Sequence, residues 1–389
     1  ISDVLYKAVD VGIYTNTGNG SSSITEDASG NKYFLSYDYD TYGALFMLTS
    51  AGVLLRLVQF NNTDSLGYNP VGALTLDNNI LYFESNFGST NNLGGLLKYD
   101  ISSGVCSLLL AYDSANTGYL QLLLVSVQTP EKRVVGNNIY LLTMQGGANN
   151  KGCILKVNIT TGAYTKIHDI NTAFINVQNG LDRSPGEIVN NKYYLFIFRD
   201  LHIIDLSNDS LTILDLGLQG LNLAAAGARP IQTFVDGSFI YGMCNGSTQA
   251  FKFDTTNNTL LITAFNGAVF FKAIVCFKDN NAFYALGQSN NLLYKWNETA
   301  NTITQSSDHV LNFPAEGNVN INGAFDFSTG VLYYTSGASV TSQKHLRKYN
   351  VFTKTLEKVY DHANPPSSFV PDGINFLEVN QAPIYLELC

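Results

Sequence analysis

A histidine beside an aspartate is the pair best suited to acid–base or nucleophilic chemistry. The chain offers it at His168-Asp169 and at Asp361-His362. Neither comes with a Gly-x-Ser-x-Gly turn that would present a serine nucleophile, and both lie where an outer strand ends, so both read as rim residues. The five histidines form no His-Glu-x-x-His pair for zinc. Asp38-x-Asp40-x-x-Gly43 begins like a calcium loop but lacks its later acidic positions and terminal Glu. No catalytic, metal-ligating or cofactor-binding residue is therefore expected. The remaining route to chemistry is acidic: Glu84, Glu187, Asp236, Asp279, Asp326 and Asp372 recur about once per repeat near the ends of predicted inner strands. Two carboxylates about 5–9.5 Å apart can hydrolyse a glycosidic bond. We expect these six to be solvated turn residues unless two converge at low exposure.

Cys106, Cys153, Cys244, Cys276 and Cys389 fit no metal spacing. Cys244 with Cys276, and Cys106 with Cys153, are the disulfide candidates, against the alternative of buried free thiols. Seven Asn-x-Ser/Thr sequons stand at Asn19, Asn61, Asn158, Asn208, Asn245, Asn257 and Asn297, a number that chance explains given 42 Asn and 59 Ser plus Thr in 389 residues. Position says more. Asn158, Asn208, Asn257 and Asn297 fall in the turn between the last two strands of a repeat, where a glycan would stand clear of packing. Tyr42, Tyr68 and Tyr119 read as exposed loop tyrosines able to stack on a sugar, whereas Trp296 reads as core.

These residues are carried by a repeating unit of apolar strand, turn and apolar strand. It reads LLKYDISSGVCSLLLAYD from Leu96, ILKVNITTGAYTKIHDI from Ile154 and AFKFDTTNNTLLITAF from Ala250, and returns from Leu292 and Leu346. Weaker copies begin at Leu45 and His202. The residues ending the first strand of each copy are Thr49, Asp100, Asn158, Asp205, Asp254, Asn297 and Asn350, at steps of 51, 58, 47, 49, 43 and 53. A period in this range means stacked supersecondary units. Two further strands precede each copy, as in GALTLDNN–ILYFESN from Gly72, and their Asn-Asn, Asp-Gly and Thr-Gly turns predict antiparallel hairpins.

Four strands in about fifty residues is the size of a propeller blade. The chain thus reads as one all-β domain over 1–389, a β-propeller of four-stranded antiparallel blades. The N-terminal VLYKAVDVGIYTN looks like an eighth copy with its marker at Asp10, and the step from Asn350 round to Asp10 is 49 residues. Eight blades are expected, the last closed by both termini, or seven if the N-terminal copy is not a blade. The run LGLQGLNLAAAGA from Leu216 reads as a loop with one short helical turn.

Charged residues are 14% of the chain and the net charge is −9, against roughly 25% charged in ordinary domains. A net negative charge without a Lys/Arg run argues against a nucleic-acid partner, and no stretch approaches the about 18 apolar residues of a membrane span. The start at Ile1 suggests a processed form or a piece of a longer product.

The stretch Leu141–Ile170 resembles the GloVer-type tandem repeat of secreted bacterial proteins. It matches at Gly146, Gly147, Asn149, Asn150, Gly152, Lys156, Gly162, Tyr164, Lys166 and Asp169. A second copy begins at Ser85, and elsewhere the chain is similar only to Kelch-like propellers in general. The resemblance implies an extracellular or cell-surface location more than a chemistry. Two functions follow as expectations. One is a non-catalytic, structural or adhesive module of a surface or fibrous assembly, self-associating or meeting neighbouring surface proteins and glycans. The other is a carbohydrate-binding or carbohydrate-cleaving propeller with its site at the channel mouth.

Overall fold

The structure is a computed structural model that describes residues 20–36, 41–51, 53–63, 65–120, 132–171, 186–197, 200–217, 219, 229–245, 249–264, 276–279, 282–286, 293–297, 300, 302–305, 323–326, 331–337, 343–350, 352–361, 374–375 and 387–388. Every described element but a few turns is a strand. The first sheet holds β1 (Gly20–Glu26), β2 (Lys32–Ser36), β3 (Ala44–Leu48) and β4 (Leu54–Gln59), and the second β5 (Tyr68–Asp77), β6 (Ile80–Phe87), β7 (Gly95–Asp100) and β8 (Val105–Ala111). The third holds β9 (Arg133–Val135), β10 (Asn138–Leu142), β11 (Cys153–Asn158) and β12 (Tyr164–Asp169), and the fourth β13 (Gly186–Val189), β14 (Lys192–Ile197), β15 (Asp200–Asp205) and β16 (Leu211–Asp215). The fifth comprises β17 (Arg229–Asp236), β18 (Phe239–Asn245), β19 (Gln249–Asp254) and β20 (Thr259–Ala264). The sixth comprises β21 (Cys276–Asp279), β22 (Ala282–Leu286), β23 (Leu293–Asn297) and β24 (Thr302–Gln305). The seventh comprises β25 (Gly323–Asp326), β26 (Val331–Gly337), β27 (Gln343–Asn350) and β28 (Thr355–Asp361).

In each sheet the strands lie side by side in chain order and pair antiparallel. This is the blade of a β-propeller. A two-stranded pair, β29 (Ile374–Asn375) with β30 (Glu387–Leu388), follows within the C-terminal segment expected to open a last blade. Residues 1–19, expected to complete it, lie outside the described residues, as does most of the run from Leu216. Contacts group the chain into two compact units, Ile1–Gly186 with Ile203–Thr212 and Glu187–His202 with Ile213–Cys389, divided through the fourth sheet.

Local chemistry explains the repeat. Where the first two strands of a sheet join, Asn78 and Asn79 take φ of 46° and 64°, and Asn190 and Asn191 take 49° and 58°. Two successive positive φ values define the type I′ turn that matches strand twist, and Asn tolerates them. Where the third and fourth strands join, the marker residue caps its own turn. Asp100 Oδ1 accepts the Ser102 N–H at 2.8 Å and Asn158 Oδ1 accepts that of Thr160 at 3.0 Å. Asp205, Asp254, Asn297 and Asn350 do the same for Ser207, Thr256, Ala300 and Phe352. Four residues on, the chain needs a left-handed residue, supplied by Gly104, Gly162, Asp209, Asn258 and Lys354 at φ of 57–73°. A type I turn followed by a left-handed residue makes a compact hairpin.

Blade faces pack through apolar side chains. In the first unit, Tyr33, Leu35, Leu45 and Phe60 of the first sheet and its exit meet Leu74, Leu81, Phe83, Leu97 and Tyr99 of the second. A further cluster joins Tyr82, Leu96 and Leu110 to Ile139, Leu141, Leu155 and Val157 of the third sheet. In the second unit the contacts are largely aromatic: Tyr194 on Phe253, Phe196 on Phe251, and Tyr241 edge-on to Trp296 at 5.7 Å. Trp296 is buried, as its strand position implied.

Candidate binding face

A four-strand meander places its second-to-third turn and its exit to the next sheet at one edge, and its other two turns at the opposite edge. The first of these edges holds the built features of unit 1. In the second sheet the loop after Phe87 turns on Gly88, Asn92 and Gly94, at φ of 78°, 56° and 72°, and in the third the loop after Gln145 turns on Gly146, Asn150 and Gly152, at 74°, 54° and 84°. Their bonds correspond one for one. Asn92 Oδ1 accepts the Gly88 N–H and Asn150 Oδ1 that of Gly146, both at 3.2 Å. Asn91 Nδ2 donates to the Tyr112 carbonyl at 2.8 Å and Asn149 Nδ2 to that of Ile170 at 3.1 Å, tying each loop to the end of its outer strand. Asp169 receives the Ala148 N–H at 2.9 Å and an ion pair from Lys166. The Gly-Gly-x-Asn-Asn-x-Gly pattern is thus a folding motif.

A second feature repeats beside these loops. Tyr68 pairs with Phe87, and Tyr119 bridges Gln145 through an N–H to carbonyl bond of 2.9 Å. Each tyrosine follows a glycine of positive φ, Gly67 at 87° and Gly118 at 65°. A Cβ on Gly67 would run into the Phe87 carbonyl and Ser85 hydroxyl, and one on Gly118 into the Gln145 carbonyl and Thr143 hydroxyl. On Gly88 or Gly146 it would meet Gly67 or Gly118 in turn. Two glycines in contact therefore seat one tyrosine in each of two successive blades. The Tyr68 ring stacks on Phe87 at 5.6 Å, and Tyr42 meets it edge-on at 5.4 Å. The expectation of exposed loop tyrosines needs correcting, because Tyr42, Tyr68 and Tyr119 are half-buried against the blade cores.

The acidic series also departs from expectation. Glu84 is 1% exposed and pairs at 2.5 Å with Lys132, itself fully buried. Burial raises the Glu84 carboxyl above the usual range, and Lys132 opposes the rise. The Tyr112 hydroxyl, pushed well up by burial and then by Glu84, has no hydrogen-bond partner among the described residues. Glu187 is 7% exposed and accepts the Thr233 hydroxyl at 2.8 Å. Both are packed groups, not solvated turn residues, because each is held by a partner that the next sheet, or the residue leading into it, delivers. Asp236 is half-buried at its hairpin turn. The side chains of Asp279 and Asp326, and all of Asp372, lie outside the described residues.

Lys132, Gly67 and Gly118 were not singled out by sequence reasoning. Another lysine pattern it missed lies at the opposite edge. Lys156 reaches the turn of the fourth sheet, pairing with Asp209 at 2.7 Å, and the Tyr140 hydroxyl donates to the same carboxylate at 3.1 Å. Lys98 likewise donates to the Ile159 carbonyl in the turn of the third sheet at 3.3 Å. The side-chain bond to Asp209 raises the Lys156 ammonium.

The other candidates are quickly placed. His168 is half-buried at the end of β12, its imidazole lowered by burial against the pull of Asp169. Cys106 and Cys153 are free thiols and form no disulfide with each other: Cys153 donates to the Thr117 carbonyl at 2.8 Å, and burial pushes the two thiols up to about 12 and about 11 respectively. Cys244 and Cys276 have described backbone in β18 and β21, but their side chains, like Cys389, lie outside the description, as do Asn19, Asp38, Asp40 and His362. Asn158, Asn208, Asn257 and Asn297 occupy the turns after third strands, the last three exposed. Asn61 follows β4, and Asn245 ends β18. Among the described residues no group of His, Cys, Asp and Glu is arranged to hold a metal, and no helix is long and apolar enough to cross a membrane.

No family model matches the chain, and no curated protein matches it in sequence. Solved structures match it in shape. A GH74 enzyme from Niastella koreensis superposes with a TM-score of 0.54 at 16% identity, covering 89% of this chain and 55% of that one. Puromycin hydrolase gives 0.53 at 8% identity over 94% of this chain and 56% of its own. Virginiamycin B lyase from Staphylococcus aureus gives 0.50 at 9%, over 82% of this chain and 92% of that one. The chain thus spans little more than half of two of these enzymes. At such identities the likeness is one of fold, and with the sheet topology it places the chain among the β-propellers.

Proposed function

We propose that this chain is a non-catalytic, extracellular β-propeller module with a structural or adhesive role in a surface assembly. The observation that carries the reading is the repeated edge of unit 1. There the loops, glycine contacts and asparagine ties serve to hold a surface whose described charges are tied down locally, while the deeply buried carboxylate of Glu84 is neutralised by Lys132. A charged-residue content of only 14% suits a surface that adheres without relying on ionic attraction. In this reading residues 1–389 form a single propeller, eight-bladed with both termini in the last blade, related to the GloVer-type repeats. Asn158, Asn208, Asn257 and Asn297, with Asn19, Asn61 and Asn245, are candidate glycan acceptors, and Cys244 with Cys276 remains a candidate disulfide. Self-association, including a filament, would follow if strands of the last blade were exchanged between copies.

Labelling intact cells of the native source with a membrane-impermeant amine reagent tests the location, and sizing the released material tests the assembly. Labelled protein in species larger than one chain is expected. Unlabelled, monomeric protein recovered only after lysis would overturn the proposal.

A further inference from the structure

We infer that the edge carrying Tyr42, Tyr68 and Tyr119 is a binding face for a neutral, linear polysaccharide, with one tyrosine subsite per blade. The inference rests on the adhesive reading above and names its partner. Four observations on unit 1 lead there. The Gly-Tyr node is built twice with the same contacts, Gly67-Tyr68 on Phe87-Gly88 and Gly118-Tyr119 on Gln145-Gly146. A site that repeats along a surface is matched by a ligand that repeats along its length.

Second, each tyrosine is half-buried, anchored by its ring in a blade core. The hydroxyls of Tyr42, Tyr68 and Tyr119 have no hydrogen-bond partner among the described residues. An aromatic face ending in a free hydroxyl suits a pyranose, which offers a C–H face for the ring and hydroxyls around its edge. Third, the seat is rigid. Paired glycines, asparagine ties and ring contacts at 5.4 and 5.6 Å fix the Tyr68 side chain before any ligand arrives, which lowers the entropy cost of binding. At its lip Thr41, a β-branched residue, holds a left-handed φ of 78°, a strained conformation of the kind that collects at ligand clamps.

The fourth observation is charge. The loop Phe87–Gly95 contains none. Beside it, the Asp113 carboxylate is engaged by the backbone N–H groups of Ala115 at 2.9 Å and Asn116 at 2.8 Å. The Lys151 ammonium donates to the Asn171 carbonyl at 2.6 Å. Among the described residues the charges beside the nodes are of both signs, Asp113 and Lys151 with the Lys166–Asp169 pair, and each is held by a local bond, which favours a neutral chain over a uronate or sulfated one.

Affinity electrophoresis of the full chain in gels containing hydroxyethyl cellulose, galactomannan or alginate tests this, with cellohexaose and mannohexaose titrated calorimetrically. Retardation by at least one neutral polymer and not by alginate is expected. Tyr68→Ala and Tyr119→Ala should each weaken the oligosaccharide by about two- to tenfold, the range of a lost aromatic contact, with unchanged circular dichroism. Tyr68→Phe, which keeps the ring, should retain most of the affinity. The inference fails if neither neutral polymer retards the chain, if alginate alone does, or if folded Tyr68→Ala and Tyr119→Ala variants bind like the parent. Reducing ends are assayed in the same mixtures. Their release would overturn the non-catalytic reading while leaving the binding face standing, so the two failures are told apart.

Discussion

Replacing Lys132 with methionine probes a fully buried charge among the described residues of unit 1. The side chain is fully buried and its partner Glu84 is 1% exposed at 2.5 Å, so the substitution leaves a carboxylate without water or counter-charge. Removing one member of such a pair costs about 3–5 kcal/mol, whereas replacing both with apolar residues of similar volume is neutral or stabilising. A body of 150–250 residues loses about 2–4 °C per kcal/mol; on that scale Lys132→Met should lower the first melting transition by about 6–20 °C. Glu84→Leu with Lys132→Met should recover most of the loss. The pH dependence has a fixed sign. Burial raises the Glu84 carboxyl above its ordinary 4.5, and only Lys132 opposes that. In Lys132→Met the folded state therefore keeps the Glu84 proton after the unfolded state has released it. Stability is then full below pH 4.5 and is lost as pH rises through the folded value. Calorimetry from pH 4 to 8 on parent, single and double variants reads all of this. A single variant within about 1 kcal/mol of the parent, or a double variant no better than the single, would refute the reasoning.

Further outcomes follow from other contacts. Gly152→Ala places a Cβ against the Thr143 carbonyl at a φ of 84° and should destabilise unit 1 by about 2–4 kcal/mol in urea unfolding. Lys156→Met should cost only about 0–1 kcal/mol, a loss that 1 M salt erases in the parent, because the partners are 24% and 30% exposed. The carboxyl of Asp100 is held below 3.8 by the N–H groups of Ser103 and Ser102, and that of Asp113 by those of Asn116 and Ala115. Their stabilisation is present above that value and lost as pH falls through the depressed one, and a carboxyl titration followed by carbon NMR should place both below ordinary Asp. Cys106 and Cys153, raised to about 12 and about 11, should resist iodoacetamide at pH 8 until the protein unfolds, which alkylation read by mass spectrometry will report.

What the sequence revealed and what it hid divide along a physical line. Asp100, Asn158 and Asp254 were legible as markers because each bonds its own turn two residues on, so type and position carry the whole signal. The Asn78-Asn79 turn and the Gly146–Gly152 loop were legible for the same reason. Glu84 was visible as an acid but not as a buried one, since Lys132 approaches from another sheet and no spacing announces it. The Lys156–Asp209 contact hid in the same way across 53 residues. The tyrosine nodes lie between. Gly-Tyr stands at 67–68 and at 118–119, and aligning the residues that enter the first strands, not only the third and fourth, would have found them.

The reach of Lys98 and Lys156 into the following turn has a consequence for how such a chain grows. The second and third sheets each send a lysine donor to the turn of the sheet after them, so these two joints run in the same direction. A tandem duplication of the third sheet would copy both halves of the joint together. A copy of the third sheet, which holds both an acceptor at Ile159 and a donor at Lys156, would meet its neighbours on both sides through the same lysine reach.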